Sequence, residues 1–267
     1  MKKIIAIILA VCCIFAVVSC GNKNPDPTPT PTPTPDSNPT PDSGNTDPVD
    51  DVAKRIDDVS VMFLSLVPTH AKTTTTSTFG IVVLNTVQEL TIGTVDGVDA
   101  TKLVTVTELL SDVKGGGNLV ITNTQELWYI EGRGTTSNKG RTWNAEGTDF
   151  APVPGSISLN LAADYLAEKA YDAENEVLTL KVTAENTINV LGSFTPDSDI
   201  SGDVIITIAT AGGRISSIKI EYTVPEKTID YVPDPEFPED TEEMTVEAIK
   251  VVTVVEYDYD YQPITMG

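Results

Sequence analysis

Residues 203–224 read DVIITIATA-GG-RISSIKIEYTV, and their pattern decides the fold. Val204, Ile206 and Ile208 fall on one side of an extended chain, with Thr207 on the other. After the two glycines, Ile218, Ile220, Tyr222 and Val224 alternate with Lys219, Glu221 and Thr223. A period of two puts apolar side chains on one face of a strand and polar ones on the other. Gly212-Gly213 supplies the two-residue turn of a hairpin. Leu178, Leu180 and Val182, alternating with Thr179 and Lys181, repeat the pattern upstream. One dry face and one wet face is the signature of an antiparallel sheet packed on a single side.

Outward from this hairpin, the period predicts strands over 73–94, 101–111, 118–131, 141–144, 164–172, 175–183, 203–211, 214–224 and 244–261. Asp96-Gly97 separates the first long polar strand from the second. Before them the period changes. Val49, Val52, Ile56, Val59, Phe63 and Leu66 recur at three and four, which predicts an amphipathic helix over 48–66. Asp47 is placed as its N-cap, Pro48 in its first turn and Pro68 as its stop. Short helical pieces are expected at 158–163 and 184–191. Val204, Ile206, Ile208 and their neighbours need a cover, and the N-terminal helix is the element to supply part of it.

The chain carries 17 basic and 39 acidic residues, a formal charge of −22. So acidic a surface repels nucleic acid and anionic headgroups and favours cationic or neutral partners. All three cysteines, Cys12, Cys13 and Cys20, lie in the first 20 residues. The remainder has no disulfide, thiolate zinc site or cysteine nucleophile to offer. The sole histidine is His70, read as a surface or capping residue at the helix exit, without a serine or acid nearby in sequence to form a triad.

Lys2 and Lys3 precede an apolar run from Ile4 to Val18 that ends in Val17-Val18-Ser19-Cys20-Gly21. A charged start, a short apolar run and small residues at a cut describe an export signal. The run is shorter than the ~20 residues of a spanning helix. The cysteine after a small residue resembles the lipobox of bacterial lipoproteins. That resemblance implies removal of residues 1–19, a diacylglyceryl group on Cys20 that holds it to the membrane, and a location on the cell membrane facing outside the cytoplasm. Residues 22–48 contain nine prolines, with PTPTPTPTP over 27–35. Proline fixes φ and pushes the preceding residue extended. Residues 20–47 therefore read as a semi-rigid, structureless stalk, able to span roughly 80 Å at about 3.1 Å per residue. Its threonines are candidate O-glycan carriers.

The order of elements then carries a second likeness. A lipid anchor and helix precede a meander of strands, with Trp128-Tyr129-Ile130-Glu131-Gly132 and Arg141-Thr142-Trp143 along it. The Gly-Gly hairpin follows, then a closing Tyr257-Asp258-Tyr259-Asp260-Tyr261-Gln262-Pro263-Ile264. Over residues 48–267 this resembles the LolA-like superfamily, including LppX- and LprG-type envelope lipoproteins. The resemblance implies an α+β fold: a curved, half-closed antiparallel β-sheet packed against the N-terminal helix. It also implies non-enzymatic binding of an acyl lipid or lipoprotein-like ligand on the concave side, without a cofactor. Phe63, Leu180, Ile206, Ile208, Ile218 and Ile220 are the candidate lining, although the same letters describe a solid core. Two features depart from the family: the acidic, Pro-rich stretch 225–243, expected as a loop, and the stalk. The alternative function is a stalk-displayed interaction domain recognising glycans or another envelope protein.

Other constellations point to chemistry less directly. Asp197-Ser198-Asp199-Ile200-Ser201-Gly202-Asp203 matches the first half of a calcium loop. Its twelfth position is Ile208, so the bidentate carboxylate is missing, and a polar turn explains the same letters. Glu256, Asp258 and Asp260 alternate with three tyrosines, which puts the carboxylates on one strand face about 7 Å apart. Paired glycosidase acids have similar separations but flank the scissile bond, and three in one repeating strand read better as a solvated face. Trp128, Tyr129 and Trp143 suit either sugar stacking or core anchoring, and the core reading is preferred. Gly115-Gly116-Gly117 lacks the Lys-Ser/Thr of a phosphate loop and reads as a turn.

Overall fold

The alternating strands assemble into one wide, open, antiparallel sheet. The computed structural model describes residues 48–113, 117–131, 133–137, 142–144, 159–192, 200–231, 242–260 and 264. The expected signal, the lipidation site Cys20 and the stalk to residue 47 lie outside these. Contacts divide the chain into Met1–Thr46 and Asp47–Gly267, and every described residue belongs to the second unit.

Helix α1 spans Pro48–Leu64. The strands are β1 (His70–Phe79), β2 (Val82–Val95), β3 (Val98–Val113), β4 (Gly117–Ile130), β5 (Gly134–Ser137), β6 (Thr142–Asn144), β7 (Glu168–Asp172), β8 (Val177–Val182), β9 (Ser201–Ala211), β10 (Arg214–Val224), β11 (Lys227–Tyr231), β12 (Glu242–Val246) and β13 (Ile249–Asp258), with a short helix α2 (Thr187–Leu191) between β8 and β9. Eleven strands run in the order β6-β5-β4-β3-β2-β1-β13-β10-β9-β8-β7, and β11 pairs only with β12. The class is β-rich α+β, and the sheet does not close on itself. No helix among the described residues is long and apolar enough to cross a membrane.

Several boundaries differ from the sequence reading. The single strand expected over 73–94 is two, reversed at Gly80-Ile81, where Gly80 takes φ +54°. A lone glycine in a threonine run gives little turn signal, yet its positive φ is a conformation that L side chains rarely adopt. The strand expected over 244–261 breaks between β12 and β13 and ends at Asp258. The stretch 225–243 is not simply a loop, because β11 and the start of β12 pair within it. Residues 164–166 belong to a 3-10 turn, Ala163–Tyr165, and its exit, so β7 starts only at Glu168. The helical piece over 158–163 is not formed at 159–162, and that over 184–191 is a 3-10 turn followed by α2. β5 carries no alternation and was not foreseen.

The Gly212-Gly213 and Asp96-Gly97 turns form as read, with positive φ at all four residues, the geometry of the mirror-image turns that match strand twist. Cross-strand register then aligns the apolar faces. Leu180 stands opposite Ile206, which faces Ile220, and Leu178 stands opposite Ile208, which faces Ile218. Across the seam, Ile218 faces Val255, and Val255 faces Thr73 of β1.

Over β8, β9, β10 and β13 this face is sealed. Ile56 and Val59 of α1, Leu159, Leu161 and Leu166 before β7, and Val190 and Leu191 of α2 join the strand residues in one buried cluster. Helix α1 lies against β7 and β10. The opposite face is wet and laced with ion pairs, such as Lys181 to Glu168 at 2.8 Å and to Asp203 at 2.9 Å.

A smaller cluster lies on that opposite face at the far side of the sheet. It comprises Ala100, Trp128, Ile130 and Ile264, with Val95 and Val98 against it. Register places Ala100 opposite Ile130 and Lys102 opposite Trp128.

Candidate functional site

The sheet brings together the six residues predicted to line a ligand cavity, but it places them in the core. Leu180, Ile206, Ile208, Ile218 and Ile220 are each 0% exposed, and Phe63 packs half-buried against their cluster. The residues that cover them come from three separate segments, which interdigitate as a close-packed interior does. The structure thus uses these side chains as packing.

The same sheet face continues past β13 onto β1–β4 with a different character. In register, Leu84 meets Leu109 and Leu109 meets Ile121, while Leu90 meets Leu103 and Leu103 meets Leu127. Between these two apolar bands run two polar rows, Thr75–Thr86–Thr107–Asn123 and Thr73–Gln88–Thr105–Gln125. The Thr row extends to Thr253, whose hydroxyl lies 3.2 Å from that of Thr75. Residues Lys102–Glu108 of β3 are half-buried on both faces. Among the described residues, none from β2–β4 belongs to the helix-covered cluster.

At the edge of that cluster, α1 contributes a cation. Arg55 donates to Thr210 Oγ1 on β9, and its guanidinium stands 5.0 Å from the centroid of the Tyr171 ring on β7. Arg55 Nε is buried without a partner. A second buried orphan is Ser77 Oγ on β1.

A cleft of about 380 Å³ opens elsewhere, at the tip of the β9–β10 hairpin beside the end of β13. Arg214, Ser216, Tyr257, Asp258, Tyr259 and Asp260 line it. A β-bulge lies behind Ser216, since Ile215 pairs with Thr210 but Ser217 pairs with Ala209. Arg214 stacks over the Tyr259 ring at 5.0 Å, and the Tyr259 hydroxyl donates to the Ile215 carbonyl at 2.7 Å. Burial holds the phenols of Tyr257 and Tyr259 above their ordinary pKa, with Arg214 opposing the shift at Tyr259. On β10, burial pushes Tyr222 up to about 12.

The remaining candidates resolve residue by residue. Trp128 is fully buried, and its indole N–H donates to Glu126 Oε1 at 2.7 Å, so it anchors the smaller cluster. Tyr129 is half-buried on the other face. The side chain of Trp143, and Gly115 and Gly116, lie outside the described residues. So do Asp197, Ser198 and Asp199 of the calcium-like run; in the rest, Asp203 is exposed and paired with Lys181, and the buried Ile208 occupies the twelfth position. Among the described residues no group of three or more His, Cys, Asp or Glu is placed to hold a metal. His70 opens β1, half-buried, opposite Asp258. Glu256 is exposed, Asp258 half-buried and Asp260 beyond the strand, so the expected acidic row is broken at its end. Sequence reasoning missed Arg55, Arg214 and the cleft, because each depends on contacts between distant strands.

No family model matches the chain, and no curated protein matches it. Among solved structures, a DUF1329 family protein from Desulfovibrio piger aligns over 81% of this chain and 96% of its own, at 9% identity and a TM-score of 0.24. A likeness that slight carries no argument here.

Proposed function

We propose that the chain is the outward-facing domain of a membrane lipoprotein, anchored through Cys20, that binds a hydrophobic ligand non-enzymatically. In this reading the sheet is the curved, half-closed sheet of a LolA-like protein. The ligand lies not among Leu180, Ile206, Ile208, Ile218 and Ile220, which are buried, but on the continuation of their face over β1–β4. One observation carries the reading: beyond the helix-covered cluster the same face carries two apolar bands, Leu84–Leu109–Ile121 and Leu90–Leu103–Leu127, in which Leu84, Leu90 and Leu109 are buried, Leu103 and Leu127 half-buried and Ile121 exposed. An acyl chain laid along either band would remove apolar surface from water, at about 25 cal/mol per Å². The threonine rows between the bands suit the polar part of an amphipathic guest.

Native mass spectrometry of the full chain with palmitate or a diacyl phospholipid tests this. The expected result is a one-to-one adduct that Leu103→Gln diminishes. Wild-type protein free of any adduct with either probe would sink the reading.

The second reading is an interaction domain that recognises a glycan or another envelope protein from the end of its stalk. The hairpin-tip cleft favours it, because that concavity mixes charged and aromatic side chains and opens to solvent. Pull-down from envelope fractions with the wild-type chain and with an Arg214→Ala variant tests it, with loss of a specific partner in the variant as the expected outcome.

A further inference from the structure

We propose that the cleft at the β9–β10 tip is a saccharide-binding site, which gives the interaction reading its location and ligand class. Its volume of about 380 Å³ falls within the ~300–1,000 Å³ usual for small-molecule sites. Three observations point to a neutral polyhydroxylated ring.

The cleft is built and held. The Tyr259 ring is fixed by its hydroxyl on the Ile215 carbonyl and by Arg214 above it. The chain beyond β13 is pinned by Thr69, whose hydroxyl donates to the carbonyls of Asp258 and Asp260, and by the Asp260 N–H on Asp258 Oδ1 at 2.9 Å. Side chains ordered in advance lose less freedom when a ligand arrives. The bulge beneath Ser216 is the second observation, since bulges re-aim a side chain and gather beside functional sites. Here the extra residue is the serine that lines the cleft.

The third is the donor set. Arg214 can only donate, the carboxylates of Asp258 and Asp260 can only accept, and the Ser216 hydroxyl does both. A cationic peptide would meet the guanidinium, and an anion would meet two carboxylates in a chain of formal charge −22. Vicinal sugar hydroxyls, each donor and acceptor at once, satisfy both signs together, and the flanking tyrosine offers an apolar surface to the C–H face.

The experiment is calorimetric titration of the full chain, in a detergent without a sugar headgroup, with cellobiose, maltose and N,N′-diacetylchitobiose. At least one should bind with a Kd below about 10 mM, and Arg214→Ala and Asp260→Asn should each weaken it about tenfold or more. Both residues are exposed, so the variants should keep the wild-type circular dichroism and melting temperature. Three sugars without heat, or binding unchanged in both variants, overturns the assignment. So does binding of an oligolysine peptide in place of the sugars. Failure here leaves the palmitate test intact, because the two sites share no residue.

Discussion

The two wings of the sheet share one backbone plan and differ in what lies over it. In β8–β10 and β13 the inward face is mostly isoleucine, leucine and valine, and most of these are buried beneath α1 and its companions. In β1–β4, the same face alternates apolar bands with rows of threonine and glutamine, and the middle of β3, Lys102–Glu108, is half-buried on both sides. Strict alternation with a cover makes a core, whereas alternation interrupted by threonine leaves a surface on which something else can rest. If the proposed ligand rests on the second wing, the two separate stability from availability within one hydrogen-bonded ladder.

Substitutions test that separation most directly. Ile206→Ala should cost about 2–5 kcal/mol, as cavity-forming changes in a close-packed core do. Thr107→Ala, at a half-buried position in the other wing, should cost less than about 1 kcal/mol. Chemical denaturation measures both, and equal losses would erase the distinction. Next in size is the helix clamp. Arg55→Ala should destabilise by about 1–3 kcal/mol, since it removes the bond to Thr210 and the stack on Tyr171. Arg55→Met should lose less, because it keeps the packing and also removes the buried unpartnered Nε.

The smallest effect is alkaline. Burial holds the Tyr222 phenol neutral to about 12, so the folded protein keeps a proton that the unfolded chain gives up near pH 10. The native state therefore binds more protons between roughly pH 10 and 12, and stability falls as pH rises through that window. The loss attributable to this group should reach on the order of 2 kcal/mol, and Tyr222→Phe should flatten it. Tyr257, shifted in the same direction, adds to the slope. An unfolding midpoint independent of pH in this range would contradict the burial of both rings.

Much of the sealed wing was legible in the sequence, because its alternation is clean and its turns are glycine-marked. Ile215 escaped because the bulge at Ser216 shifts the period by one, so that Ile215 and Ile218 both lie buried on β10. The Gly80-Ile81 reversal escaped because its neighbours are threonines and valines on both sides. The identity of the apolar face was readable for Leu180, Ile206, Ile208, Ile218 and Ile220, but alternation does not distinguish a lining from a core. What decides is the arrival of Leu159, Leu161, Leu166, Val190 and Leu191, whose short irregular segments have no periodicity to read. The cleft was hidden for a related reason: Arg214 opens β10 and Tyr259 follows the end of β13, and only adjacency in space unites them.

The position of β13 has a consequence for how such a molecule is made. Among the described residues it is the last strand of the sheet in sequence, yet it lies between β1 and β10 and alone joins the two wings. Its pairing with β1 links His70 to Asp258, a separation that places this domain among slow-folding topologies. A polypeptide threaded through an export channel with its amino end leading would emerge as two unlinked meanders. The halves could be zipped together only when the final ribbon cleared the pore, so the delay before maturation would be counted from the end of transport rather than its beginning.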